Sequence, residues 1–170
     1  MIDWSRIDTV ILDMDGTVLD LHFDNRFWMQ HLPEVYADRR GLPREQGLSE
    51  LLTQFSAHQG SLNWYCTDFW SGKVGFDVAA LKTDLKHLIR ERADAFSFLA
   101  AVKASGRALW LATNAHRASL EIKLAAHGAL GDLRDLGLAA DEIGQFVDAF
   151  LRDHGRIHIG QEQALATRDA

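Results

Sequence analysis

The sequence is poor in cysteine and proline, and it lacks any long apolar run. Its 170 residues include one cysteine, Cys66, which excludes an internal disulfide and favours a cytoplasmic location. The only prolines are Pro33 and Pro43, so no proline-rich linker divides the chain. No stretch reaches the roughly 18 apolar residues of a membrane span, and the N-terminus lacks the pattern of a secretory signal. We therefore expect no membrane partner.

An excess of positive charge is also missing. The chain has 18 Lys and Arg residues against 24 Asp and Glu residues, which gives a net charge of -6. Neutralising the phosphates of a nucleic acid requires clustered Lys and Arg, so we expect no nucleic-acid partner. The chain length and a hydrophobic fraction of 47% suit one well-packed core that carries a small insertion. The sequence leaves the oligomeric state open.

Two short apolar runs, at residues 9–12 and 107–113, predict buried parallel strands. Helical stripes of apolar residues lie between them, and another helix is predicted at about residues 118–127, before Gly128. The order indicates an α/β fold with a core formed by residues 1–19 and 91–170, interrupted by an α-helical cap at residues 20–90. Two stripes lie in the predicted cap, namely Leu48, Leu51, Leu52 and Phe55, and Val78, Leu81, Leu85 and Leu88. A third stripe, after the cap, consists of Phe96, Leu99 and Val102.

The first apolar run ends in closely spaced acids, in the stretch VILDMDGTVLD. Side chains alternate along a strand, so Asp13 and Asp15 reach one side of the strand end while Met14 turns away. Gly16 permits a tight turn there, and Thr17 can hold it through the local backbone. Two adjacent carboxylates repel unless a cation lies between them or one stays protonated. A bound Mg²⁺ satisfies this requirement, and with it Asp13 can attack phosphorus while Asp15 exchanges a proton.

The same residues also allow simpler interpretations. Asp and Gly are common in turns, so the stretch can be an acidic turn without chemistry. A calcium loop of the EF-hand type fits less well, because Val18 and Asp24 stand where its glycine and glutamate are required. At the end of the second strand, Thr113 and Asn114 can bind a phosphate, or they can cap the helix that follows.

Taken together, these motifs resemble the haloacid dehalogenase-like (HAD) hydrolase superfamily. DMDGT at residues 13–17 matches the first motif of the superfamily, and LWLATNA at residues 109–115 matches the second. The segments LDLHFDNRFW and LNWYCTDFW are similar to the bacterial branch of GMP and IMP 5′-nucleotidases. The resemblance extends over about residues 5 to 128 and implies a Rossmann-like parallel sheet with an inserted helical cap.

The resemblance implies a Mg²⁺-dependent phosphatase that hydrolyses a small phosphomonoester, with a purine nucleoside 5′-monophosphate as the leading substrate. Asp13 would be nucleophile and metal ligand, and Asp15 would be general acid and base and bind the metal through its carbonyl. Thr113 would bind the phosphoryl group. Cap aromatics would stack on a base or simply form core, and Cys66 is expected to be buried among them. These aromatics are Phe23, Phe27, Trp28, Trp64, Tyr65, Phe69 and Trp70.

Two further features of the superfamily, a lysine near the nucleophile and a C-terminal acidic motif, have no clear counterpart. Loose alignment puts Gln161 in place of the lysine, and Asp148 lies on a predicted helix, so it is a poor match to the acid. We expect Lys123 to be solvated, with contact to the site as the alternative. We assign no role to His154 and His158. Alternatively, the chain is a truncated or impaired relative with an incomplete core, which binds a phosphorylated ligand without turnover.

Overall fold

The computed structural model describes residues 2–126 and the backbone of residues 137–138. Its sheet has three parallel strands in the order β1, β2, β3, at Thr9–Asp13, Ala108–Ala112 and Gly137–Leu138. Asp13 is paired with Ala112, and Ala112 with Leu138, so the carboxyl ends of neighbouring strands lie side by side. The predicted α/β class and parallel sheet are confirmed.

Seven α-helices are present in the described part of the chain, and they account for most of the predicted apolar stripes. The stripe from Val78 to Leu88 differs from the prediction, because α5 ends at Lys82 and a 3₁₀ segment, Thr83–Leu88, continues it. Gly106 follows the sixth helix with a positive φ of 74°. The helices are α1 His22–Arg26, α2 Leu32–Arg40, α3 Arg44–His58, α4 Thr67–Val74, α5 Val78–Lys82, α6 Ala95–Ala104 and α7 Arg117–Ala126.

A wide π-helical turn, Phe27–His31, joins α1 to α2. Pro33 has no N–H to donate to the carbonyl four residues earlier, so the regular α-helical pattern cannot run through this point. Leu32 instead donates its N–H to the carbonyl of Phe27, five residues back. The result is one nearly continuous helical segment with a bulge where Phe27 is fully buried.

Buried apolar side chains form two clusters. The strand-side cluster joins Met14 and Phe23 to residues of α6, β2 and α7, such as Leu99, Leu111 and Leu120. The helical cluster lies within α1 to α5, and its members are Phe27, Leu32, Tyr36, Leu51, Phe55, Trp70, Val74 and Val78. Burial is therefore divided between a sheet-based part and an all-helical part.

The chain leaves the sheet-based part for the helical part, and returns from it, at adjacent points. The Asp20 N–H donates to the carbonyl of Arg90 at 2.9 Å, and the Arg92 N–H donates to that of Val18 at 3.0 Å. An antiparallel bridge between Leu19 and Glu91 lies between these bonds. We call residues 18–20 and 90–92 the paired stem.

None of the helices in the described residues is long and apolar enough to cross a membrane. Several predicted residues, Gly128, Asp148, His154, His158 and Gln161, lie outside the part of the chain that the structure describes.

Candidate active site

The two acids of the first motif lie in a tight turn directly after β1. Gly16 has a φ of 86°, a conformation that side-chain-bearing residues rarely adopt, and its N–H donates to the carbonyl of Leu19 at 2.7 Å. Met14 is fully buried in the strand-side cluster, whereas Asp13 and Asp15 remain partly exposed. The turn therefore presents both carboxyl groups at the end of the sheet.

The environment of Asp13 makes ionisation of its carboxyl group less favourable than in water. Burial raises the pKa of Asp13, and the nearby charge of Asp15 adds to that rise. Opposing effects come from the Met14 N–H, the Thr17 hydroxyl and the charge of Lys123.

Lys123 reaches the acidic turn, and the expectation that it lies in solvent is wrong. Its side chain is 2% exposed, and Nζ donates to Oδ1 of Asp15 and to Oδ2 of Asp24, each at 2.6 Å. Burial alone would lower the pKa of Lys123, but the carboxylates of Asp24 and Asp15 hold this pKa above its usual value. The ammonium group is therefore charged and fixed beside Asp15.

A second buried lysine completes this charged group. Lys82 donates from Nζ to Oδ1 of Asp24 at 3.0 Å, so each carboxylate oxygen of Asp24 binds one lysine. The Lys82 side chain is 2% exposed, and burial lowers its pKa. Burial would raise the pKa of Asp24, yet Lys82 and Lys123 together keep it below its usual value. We call Asp15, Asp24, Lys82 and Lys123 the charge network.

The second motif follows β2 on the neighbouring strand. Thr113 is 2% exposed, and its Oγ1 accepts a hydrogen bond from the Ala115 N–H at 3.1 Å. Asn114 is exposed. The expected alternative, that these residues cap the next helix, does not fit, because α7 begins at Arg117. Since Asp13 pairs with Ala112, Thr113 lies at the same carboxyl end of the sheet as the two acids.

A cleft of about 250 Å³ separates the second motif from the helical part of the chain. Of the cap aromatics, Tyr65 lines this cleft and is 39% exposed. Trp28, Phe55, Trp64, Phe69 and Trp70 instead make edge-to-face contacts in or against the helical cluster. The cleft is lined by Leu62, Asn63, Tyr65, Cys66, Asn114, His116 and Arg117.

Two polar contacts connect the segments around the cleft. The Thr67 hydroxyl lies 2.7 Å from Nδ1 of His116 and so connects α4 to the loop before α7. The Trp70 indole donates to the carbonyl of Trp64 at 3.0 Å, next to Tyr65. Cys66 is half-buried, and its Sγ accepts a hydrogen bond from the Phe69 N–H at 3.4 Å. Cys66 therefore caps α4 and lines the cleft, and it is less buried than we expected.

The acidic turn offers part of a magnesium site. Mg²⁺ prefers oxygen ligands, and the raised pKa of Asp13 marks a carboxyl group whose negative charge lacks full compensation. Within residues 2–126, no cluster of three or more His, Cys, Asp or Glu side chains is placed to hold a metal ion. The Asp13 carboxylate and the carbonyl of Asp15 therefore fit as two of the oxygen ligands that Mg²⁺ would need.

Comparison with known proteins identifies similar sequences. The chain is 41% identical over 143 residues to the GMP/IMP nucleotidase YrfG of Escherichia coli (strain K12). That alignment covers 84% of this chain and 64% of the relative, and the protein of the same name from Shigella flexneri matches equally well. The chain thus spans just under two thirds of the length of these relatives. No family model matches the sequence.

Solved structures confirm the architecture. The HAD phosphatase from Thermococcus onnurineus superposes with a TM-score of 0.68 at 22% identity, covering 81% of this chain and 64% of that one. The chain has the HAD-like fold. A hydrolase from Pseudomonas syringae shares it with a TM-score of 0.55 at 16% identity, over 89% of this chain and 72% of that one. The fold that the resemblance to the HAD superfamily implied is confirmed.

Sequence reasoning missed Lys82, and it gave the contact of Lys123 with the site only as an alternative to solvation. A signal was present in each case. Lys123 lies three residues after Leu120 and just before Leu124, which places it on the buried face of α7. Lys82 lies four residues after Val78 on the buried face of α5. A lysine on the apolar stripe of a helix indicates a buried charge that needs a partner.

Proposed function

We propose that the chain is a Mg²⁺-dependent phosphomonoesterase that acts through an aspartyl-phosphate, with Asp13 as nucleophile. The observation that carries this proposal is the contact of the buried Lys123 ammonium with Asp15, in the turn that also presents Asp13. A cation, a nucleophilic carboxylate and a second carboxyl group are the parts that phosphoryl transfer to a carboxylate needs.

Each residue has a distinct task in the proposed reaction. Asp13 attacks phosphorus while Asp15 gives a proton to the departing ester oxygen, and Asp15 later takes a proton from the water that hydrolyses the acyl phosphate. Thr113 and Asn114 bind the phosphoryl oxygens, and Lys123 offsets negative charge around them. Asp13 and the carbonyl of Asp15 would hold Mg²⁺, which supplies further charge compensation.

We propose residues 20–90 as a cap that covers the sheet edge and selects the substrate. The paired stem and the separate helical cluster support this boundary. The cleft beside Tyr65 and Asn114 would take the part of the substrate beyond the phosphate, and a purine fits the aromatic and amide groups there. A purine nucleoside 5′-monophosphate is therefore the leading substrate, which agrees with the name of the YrfG relatives.

Release of inorganic phosphate tests the proposal directly. Wild-type protein should release phosphate from GMP, IMP and other small phosphomonoesters with Mg²⁺ present, and excess EDTA should abolish the release. Asp13→Asn should remove turnover, whereas Asp38→Asn, which changes an exposed aspartate on α2, should retain it. Absence of Mg²⁺-dependent turnover across a broad ester panel would refute the proposal.

A second candidate function is binding of a phosphorylated ligand without turnover. It is favoured by one observation, the absence of a complete cluster of metal-binding side chains among residues 2–126. This candidate predicts that GMP raises the Tm of the protein although no phosphate is released. Turnover well above that of Asp13→Asn would exclude it. In either case we propose a small phosphorylated metabolite as the partner and the cytoplasm as the location.

A further inference from the structure

Asp24 is the centre of the charge network. Its two carboxylate oxygens bind different lysines, Oδ1 at 3.0 Å from Lys82 and Oδ2 at 2.6 Å from Lys123. The network contains two acids and two lysines, so its formal charges balance. Removing a single partner would leave a buried charge uncompensated, and such contacts therefore fix positions strongly.

Lys123 has a long, flexible side chain, and one contact to Asp15 would not determine where its ammonium group lies. The second contact, to Asp24, restricts the ammonium to one place. Lys123 then binds Oδ1 of Asp15 and leaves Oδ2 as the oxygen that can exchange a proton with substrate. The orientation of Asp15 thus depends on a residue that does not contact it directly.

Lys82 in turn holds Asp24. Its ammonium nitrogen lies 5.2 Å from the ring centre of Phe23, 5.0 Å from that of Phe27 and 5.2 Å from that of Trp28. These aromatic faces attract the cation and exclude water from it. Lys82 is almost fully buried, so it has no alternative position in solvent.

The network crosses between the two parts of the molecule. Asp24 and Lys82 belong to the segment 20–90, on α1 and α5, whereas Asp15 and Lys123 belong to the sheet-based part. We infer that Asp24 and Lys82 are positioning residues through which the cap orients Asp15, by way of Lys123, for proton transfer to the leaving group. This inference rests on the proposed phosphatase function.

Leaving-group dependence separates this role from a purely structural one. Nitrophenolate leaves with little help from an acid, whereas the 5′-oxygen of a nucleoside monophosphate needs a proton from Asp15. A disoriented Asp15 should therefore lower kcat/KM, which reports the steps up to release of the leaving group, far more for GMP than for p-nitrophenyl phosphate. The later hydrolysis of the acyl phosphate, in which Asp15 is the base, is common to both esters and does not enter kcat/KM. General loss of folded protein would lower both rates by the same factor.

The variants are chosen to preserve folding. The double variant Asp24→Asn/Lys82→Met removes one charge of each sign, so no unpaired charge is created, and Met fits the aromatic surroundings of Lys82. Lys82→Met alone tests the outer lysine. Lys86→Met is the matched control, because Lys86 is exposed on the adjacent 3₁₀ segment. Thermal unfolding of Asp24→Asn, Lys82→Met and the double variant tests the network without turnover.

We expect the double variant to lose about 100-fold in kcat/KM for GMP, with kcat/KM for p-nitrophenyl phosphate little changed. Lys82→Met should show a smaller loss of the same kind, and Lys86→Met none. The Tm loss of the double variant should be smaller than the sum of the single losses. Equal losses with both esters, no loss, or additive Tm changes would overturn the inference. A wild-type protein inactive toward both esters would instead refute the proposed function, and this inference with it.

Discussion

The ammonium nitrogen of Lys123 lies 2.6 Å from Oδ1 of Asp15, although 108 positions separate the two residues in the chain. The contact joins the buried face of α7 to the turn after β1. It gives the acidic turn a fixed positive charge that is part of the protein itself. In the proposed reaction this charge faces the developing negative charge of the transition state.

Lys123→Met is expected to lower kcat by about 100- to 1000-fold, the usual effect of removing one preorganised group that stabilises transition-state charge. It also leaves Asp15 and Asp24 without their shared cation, so the Tm should fall. Steady-state phosphate release and thermal unfolding measure the two effects, with Lys86→Met as the control. A kcat within tenfold of wild type would contradict the role assigned to Lys123.

The stabilising contribution of Asp24 should depend on pH. The pKa of Asp24 is lowered in the folded protein, so its contribution is fully present above the unfolded pKa of about 4. The contribution is lost as pH falls through the lowered folded value. At neutral pH, Asp24→Asn should cost about 3 kcal/mol, because it leaves two buried lysines with one fewer carboxylate. Tm measured from pH 7 downwards should show the gap between wild type and variant closing only below about pH 4.

A gap between wild type and Asp24→Asn that is constant from neutral to strongly acidic pH would contradict this assignment. Asp38→Asn serves as the control, since Asp38 is exposed. The measurement that tests the assignment is the difference in Tm between wild type and Asp24→Asn at each pH. Burial raises the pKa of Asp13, and Asp24 is not among the groups that shift it, so Asp13 favours folding at acid pH in wild type and variant alike.

Tyr65→Ala should raise KM for GMP by up to about tenfold, the value of one aromatic contact, and leave kcat nearly unchanged. The reason is that Tyr65 lines the cleft away from the acidic turn. Inorganic phosphate should inhibit wild type and variant equally, because it does not reach Tyr65. Met29→Ala, which changes another exposed apolar residue of the cap, is the control. An unchanged KM would remove Tyr65 from the substrate site.

Two glycines should respond to alanine with opposite signs. Gly16 has a φ of 86°, so Gly16→Ala should destabilise the protein by about 1 kcal/mol or more. Gly72 lies inside α4 with nothing within 4 Å of the position of an added Cβ. Gly72→Ala should therefore stabilise the protein by about 0.5–1 kcal/mol. Thermal unfolding checks both, and a stabilised Gly16→Ala would show that the turn tolerates another conformation.

The apolar pattern of short segments predicted those elements of the structure that depend mainly on neighbouring residues in the sequence. The apolar runs identified β1 and β2, and strand ends are where Asp13 and Thr113 had to lie. The charge network was not predicted, because its partners come from three helices and one turn that only the tertiary fold brings together. The sequence indicated that a lysine was missing from the site. The structure instead places Lys123 beside Asp15, whereas we expected this lysine to be solvated because lysines on helices usually are.

The aromatic residues illustrate a second limit of sequence reasoning. Their spacing was compatible with a base-stacking surface and with a core. In the structure, Phe27 and Trp70 are fully buried and belong to the core, whereas Tyr65 lies at the cleft. Sequence spacing alone cannot distinguish them, because all three lie on short helices or on the turns between them.

The paired stem has a consequence for protein engineering. Its two segments run side by side, so residues 20–90 begin and end at one place, which is the geometry that allows one inserted segment to be exchanged for another. The charge network limits such exchange, since Asp24 would be lost with the segment. A domain grafted from another protein would have to bring its own carboxylate to Lys123, so the graft must match in charge as well as in shape.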